Sequence, residues 1–201
     1  MAARRNAHLP MSKQGPQPIR QRTRQASADY TLARSYFITA VTEGRLHLFG
    51  DVVQGVMQRN AAGNMIVHWW QELLSKHPFL ELPCYALLPN HFHGILRILP
   101  STDGLASLSS MMGWFKSMTT NAYIKGVKQS GWRRFRGRLW QRGFHDHIIR
   151  TRRDLEGITQ YVQTNPARWH LDHENDARTG LDDFDDWMIA SSPDEERRAA
   201  T

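Results

Sequence analysis

Residues 79–99, FLELPCYALLPNHFHGILRIL, decide the fold. Two runs of strand formers, FLELPCYALLP and HFHGILRIL, flank Pro89 and Asn90, a pair that favours a turn. The segment therefore reads as an antiparallel hairpin. Side chains alternate along a strand, so His91 and His93 share one face while Phe92, Gly94 and Leu96 share the other. Phe92 can anchor in the core and leave two imidazoles standing together. Such a pair is either two satisfied polar residues or two nitrogen ligands for one metal ion. A second pair, His145 and His147, raises the option of a four-histidine zinc site, although Asp146 between them anchors poorly in an apolar core.

Working outward, SYFITAVT (35–42) is aromatic and β-branched and reads as a strand. GRLHLFGDVV has room for one short extra strand. Residues 64–76 (NMIVHWWQELLSK) read as a helix that stops near Pro78, and residues 105–125 as a second, longer one. RLWQRGFHDHIIR (138–150) reads as another strand. Residues 151–166 (TRRDLEGITQYVQTNP) read as a helix, with Thr151 and Asp154 as its start signal and Pro166 as its stop. The order β-α-β-β-α-β-α specifies an α+β fold. It is a ferredoxin-like antiparallel sheet with an additional C-terminal helix, which carries Tyr161.

The chain has 201 residues, enough for one domain with tails, and a single cysteine, Cys84, so no internal disulfide forms. No stretch approaches the roughly 18 apolar residues of a membrane span, so a cytoplasmic protein without a membrane partner is expected. Charge is distributed unevenly. Residues 1–34 carry a net +6, residues 35–170 a net +8 and residues 171–201 a net −7. We divide the chain into a basic, mostly disordered arm (1–30), a body (31–170) and an acidic tail (171–201). A basic body suits a polyanion such as nucleic acid, and an acidic tail can compete with that polyanion.

At helical spacing, Leu155, Ile158 and Val162 make an apolar stripe with Tyr161 and Asn165 on its flank as i and i+4 neighbours. A helix-margin tyrosine is commonly packing plus a surface hydroxyl. Equally, an amide oxygen is a hard ligand suited to Mg²⁺ or Mn²⁺, and a phenol beside a cation that grips a phosphate can act as a covalent nucleophile. Residues 125–153 hold ten Lys/Arg and one acid, with Trp132, Phe135, Trp140 and Phe144 interleaved. Cations for phosphates and rings for bases are what a single-strand or hairpin binder needs. The DNA-binding candidates are Lys116, Arg133, Arg134, Arg136, Arg138, Trp140, Arg142, Arg150, Arg152 and Arg153.

Five segments in order, YFITAVTEGR, LLPNHFHGIL, WFKSMTTNAY, LWQRGFHDHIIR and ITQYVQTNPARW, resemble the REP-associated tyrosine transposases. These are single-tyrosine members of the HUH superfamily, U being a bulky hydrophobic residue. The resemblance spans about residues 36–170. It implies a catalytic domain over 31–170 that cleaves and rejoins single-stranded DNA at palindromic hairpin repeats through a 5′-phosphotyrosine. By this resemblance Tyr161 is the nucleophile, and His91, His93 and Asn165 hold Mg²⁺ or Mn²⁺. Asp146 and His147 lie in a recurrent supporting segment. The short link between the last strand and the tyrosine helix favours a site built within one chain, hence a monomer rather than a dimer. The same fold without chemistry would be a hairpin-binding regulator.

Overall fold

The computed structural model describes residues 35–100 and 107–184. The arm expected over 1–30, the distal tail (185–201) and the expected first residues of the second helix (105–106) lie outside the described residues.

Strand β1 (Ser35–Val41) leads into a hairpin of β2 (Gly50–Val53) and β3 (Val56–Arg59), then helix α1 (Ala61–Lys76). Strands β4 (Leu80–Leu87) and β5 (His91–Ile98), helix α2 (Leu108–Ser130), strand β6 (His145–Ile149) and helix α3 (Arg152–Thr164) follow. Four strands form one antiparallel sheet in the order β4-β5-β1-β6, and β2 and β3 pair only with each other. This is the expected α+β sheet, with the hairpin read from residues 79–99 at its centre and edge.

The differences from expectation have local causes. The single extra strand expected near residue 50 is a hairpin, because Gln54 and Gly55 both adopt positive φ (51° and 75°) and close a tight turn. Helix α1 starts earlier than Asn64 because the Asn60 side chain caps it, accepting from the Gly63 amide. Helix α2 runs past Lys125 until Gly131 ends it in the left-handed conformation. Strand β6 starts only at His145, and residues 138–144 are loop apart from a bridge between Thr42 and Trp140. Helix α3 has the expected capping box, with Thr151 and Asp154 bonding reciprocally.

The sheet separates two apolar layers. On one side Trp70 of α1 and Phe115 of α2 pack on Phe92, and Leu96 is buried in the same cluster. On the other side Phe37, Ala86, Leu88 and Ile95 meet Ile158, Tyr161 and Val162 of α3. Helix α3 therefore covers the second face of the sheet. Alternation along β5 sends Phe92 to the first layer and both histidines to the second.

Gly94 shows how tight the first layer is. A methyl group there would stand 2.7 Å from the Trp70 ring and 2.9 Å from Phe92. Gly94→Ala is therefore expected to destabilise the fold by about 1–3 kcal/mol through overpacking. Denaturant unfolding of the variant beside the wild type measures this.

Candidate active site

The His91–His93 pair sits on β5 with both rings buried, and their Nε2 atoms are 2.9 Å apart. Each ring is held from behind. The Asn90 amide donates to the carbonyls of Arg45 (3.2 Å) and Glu174 (2.7 Å). That fixes its oxygen as the atom facing His91 Nδ1 at 2.8 Å. His91 Nδ1 must then carry the proton, and its Nε2 lone pair points inward. His93 Nδ1 meets the Thr39 hydroxyl at 2.8 Å. Thr39 lies directly opposite His93 in the β1–β5 ladder. A hydroxyl can donate or accept, so Thr39 serves either tautomer of His93.

A carboxylate completes the cluster. Asp172 Oδ2 lies 3.5 Å from His91 Nε2 and 4.0 Å from His93 Nε2. One donor atom from each of the three buried residues falls within 4.8 Å of the others. Asn165 donates from Nδ2 to Asp172 Oδ2 at 2.9 Å, while its own Oδ1 is buried with no hydrogen-bond partner. Two imidazole nitrogens, a carboxylate and an orphaned amide oxygen are a donor set that could hold a divalent metal ion. Burial lowers the His91 pKa to about 3, so the ring is neutral and available as a ligand. Burial opposes ionisation of Asp172, but the imidazoles and the Asn165 amide outweigh it and hold the carboxyl well below its usual range.

Tyr161 projects from α3 into the same layer. Its ring centroid is 5.5 Å from that of His93 and 6.1 Å from that of Phe37, and it stacks on Phe184 at 3.6 Å. A cavity of about 390 Å³ opens here, bounded by Tyr161, His93, Asp172, Arg45 and His145 among others. The sequence grouped Asp172, Glu174 and Phe184 with the acidic tail. In the structure residues 171–184 fold back over the sheet, supplying the carboxylate beside the histidines and the ring against the tyrosine. Asp172 is the residue sequence reasoning missed, since it is one acid among ten in a segment with no periodicity.

The other expected residues divide. Arg134, Arg136, Arg138 and Arg142 are exposed on the loop after α2, as are Arg150, Arg152 and Arg153 around the β6–α3 corner. Arg150 and Arg152 line a larger cavity of about 780 Å³ with Arg97. Arg133 is exposed and donates to the His47 carbonyl. Lys116 spends its ammonium on the carbonyls of Gln141 and Gly143. Trp140 requires a correction: it is 3% exposed and donates to Thr119, so its ring is core and cannot stack on a base. Trp132 and Phe135 likewise pack edge-on against Tyr123. Asp146 lies opposite Ile38, pointing away from the cavity, and His147 is buried opposite Phe37. The four-histidine option fails because β1 separates the pairs, leaving β6 about 10 Å from β5. The cluster among the described residues is His91, His93 and Asp172.

Comparison with known proteins bears on this geometry. The chain is 28% identical over 148 residues to an uncharacterised Haemophilus influenzae protein, covering 68% of this chain and 82% of that one. It is 24% identical over 143 residues to a second Haemophilus influenzae protein, described as a "Putative REP-associated tyrosine transposase", covering 70% and 74%. The chain resembles the REP-associated tyrosine transposases. The fold agrees with the solved structure of such a transposase bound to a REP hairpin, with a TM-score of 0.50, 20% identity and coverage of 73% and 74%. No family model matches the chain. No helix among the described residues is long and apolar enough to cross a membrane.

The buried neutral state of His91 makes stability depend on pH. Its folded pKa of about 3 lies below the unfolded 6.5, so the unfolded chain binds the extra proton in that window. Stability is therefore expected to fall as pH drops from 6.5 towards 3. Thermal unfolding of metal-free protein across this range tests it, and His91→Asn should flatten the slope.

Proposed function

We propose that this protein is a metal-dependent single-stranded DNA endonuclease and strand transferase acting on palindromic hairpin repeats. The observation that carries the reading is the shared cavity, which puts Tyr161 beside the buried His91–His93–Asp172 cluster on one sheet face. The likeness to REP-associated tyrosine transposases, one of them solved with a REP hairpin, supports the choice of DNA.

In this reading His91, His93 and Asp172 would hold Mg²⁺ or Mn²⁺, and the unpartnered Asn165 Oδ1 would be available as a further donor. The ion would supply Lewis-acid stabilisation of charge on the scissile phosphate. The Tyr161 oxygen attacks phosphorus as the phenol gives up its proton, the P–O3′ bond breaks, and the leaving 3′-oxygen takes up a proton to become the 3′-hydroxyl of the released strand. The product is a 5′-phosphotyrosine, and attack by another 3′-hydroxyl reverses the step and joins strands. Phe37 and Phe184 hold the phenol ring in orientation. Thr39 and Asn90 aim the two imidazoles inward. The exposed arginines bind the DNA backbone. Every group comes from one chain, and we propose a cytoplasmic monomer working at the nucleoid.

One observation favours a second reading. Tyr161 is 5% exposed beneath Phe184, which suits a hairpin-binding regulator that performs no chemistry. A labelled DNA hairpin incubated with Mn²⁺ and run on a denaturing gel separates the two. Wild type should form a covalent protein–DNA adduct and Tyr161→Phe none, with binding retained. Adduct formation by the Phe variant would sink the tyrosine mechanism, and no adduct from wild type would favour the regulator. Thr39→Val should weaken Mn²⁺ binding about 10- to 100-fold, measured by titration calorimetry, because His93 loses its orienting partner.

A further inference from the structure

Arg45 belongs to none of the groups so far assigned a role, yet it lines the cavity that holds Tyr161, His93 and Asp172. Its backbone is unusual. Gly44 and Arg45 are consecutive residues at positive φ (65° and 51°), and a left-handed conformation costs a non-glycine residue roughly 1–2 kcal/mol. The surroundings hold it there. The Arg45 amide donates to the Thr42 carbonyl, and the Arg45 carbonyl accepts from the Asn90 side chain that also fixes His91. The backbone of Arg45 is thus tied to a proposed metal ligand through one amide group.

The side chain is positioned as firmly. Nε donates to Glu174 at 2.9 Å and Nη1 to Asp176 at 3.1 Å, contacts that span 129 and 131 positions of sequence. A guanidinium has five N–H donors. Two are used in these bonds, and the side chain remains 36% exposed. The remaining donors belong to a fixed cation beside a cluster whose own donors suit a divalent ion. A planar fork of this kind matches a phosphate oxygen pair better than an ammonium would.

We propose that Arg45 is a phosphodiester-binding residue of this cavity, holding a DNA phosphate at or next to the cleaved bond, with Glu174 and Asp176 fixing the direction of its guanidinium. The inference rests on the function proposed above and adds a contact to it. The loop after α2 gathers cations on the surface, whereas Arg45 places one within the cavity itself.

The test combines DNA binding and adduct formation. A fluorescein-labelled DNA hairpin with single-stranded arms is titrated by anisotropy at several salt concentrations, and the covalent adduct is timed in Mn²⁺. Arg45→Ala should shallow the plot of log affinity against log salt by about 0.7–0.9, the value of one phosphate contact. It should also slow adduct formation at saturating DNA by roughly tenfold or more, the loss of a charge-assisted bond. Arg45→Lys should restore the salt slope but not the rate, since it keeps the charge and loses the fork. Glu174→Ala breaks the same ion pair and leaves the arginine in place. It should keep the wild-type salt slope, because the guanidinium retains its charge and its bond to Asp176. An unchanged slope in Arg45→Ala would overturn the proposal. So would equal losses of slope in Arg45→Ala and Glu174→Ala, which would mean that Arg45 only anchors residues 171–184. If wild type forms no adduct, the proposed chemistry fails, while the salt slopes still decide whether Arg45 touches phosphate.

Discussion

The pairing of Thr39 with His93 in the β1–β5 ladder is the constraint on which the rest of the molecule depends. A slip of one residue would turn both histidines into the layer occupied by Trp70 and Phe115 and bring Phe92 out among polar groups. In the observed register Phe92 fills the α1–α2 layer, and Thr39 reaches His93 across the strands. The same strand pairs Thr39 with His145 on its other side. β1 therefore sets both the distance from the histidine pair to the outer strand and the width of the cavity floor.

Around that register, the site is assembled from three distant parts of the chain. The histidines come from β5, the phenol from α3, and the carboxylate from the segment beyond it. Asn165 joins the last two. It begins the turn that ends α3, one helical step past Tyr161, and it grips Asp172. Tyr161 and Asp172 are thus coupled through a single amide. Electrostatics follow the same logic. A neutral His91 and an ionised Asp172 sit together in the buried cluster, a setting that a cation would complement.

Much of this was legible from residue order. The turn at Pro89–Asn90, the alternation of HFH, the Thr151–Asp154 cap and the Tyr161–Asn165 spacing are all local signals, and each appears where its periodicity places it. What was not legible depended on long-range contact. Nothing near Asp172 distinguishes it from Asp176 or Asp183, and only the fold shows that its carboxylate meets β5. Trp140 misled for the opposite reason. Its neighbours are arginines, which suggested a surface, but the loop bends it inward to Thr119. Arg45 closes the segment YFITAVTEGR that carries the resemblance, yet nothing in residue order gave its side chain a role.

The loop of residues 131–144 has one more consequence. It carries five exposed arginines, yet it is pinned along its length. Trp132 lies over Gly126 so closely that an added methyl group would collide with its ring. The Tyr123 hydroxyl donates to the Arg133 carbonyl, Leu139 and Trp140 are buried, and Lys116 holds the carbonyls of Gln141 and Gly143. The backbone entropy of this segment has been surrendered during folding. A nucleic acid that meets it need order only the arginine side chains, so more of each contact's free energy is left to hold the strand.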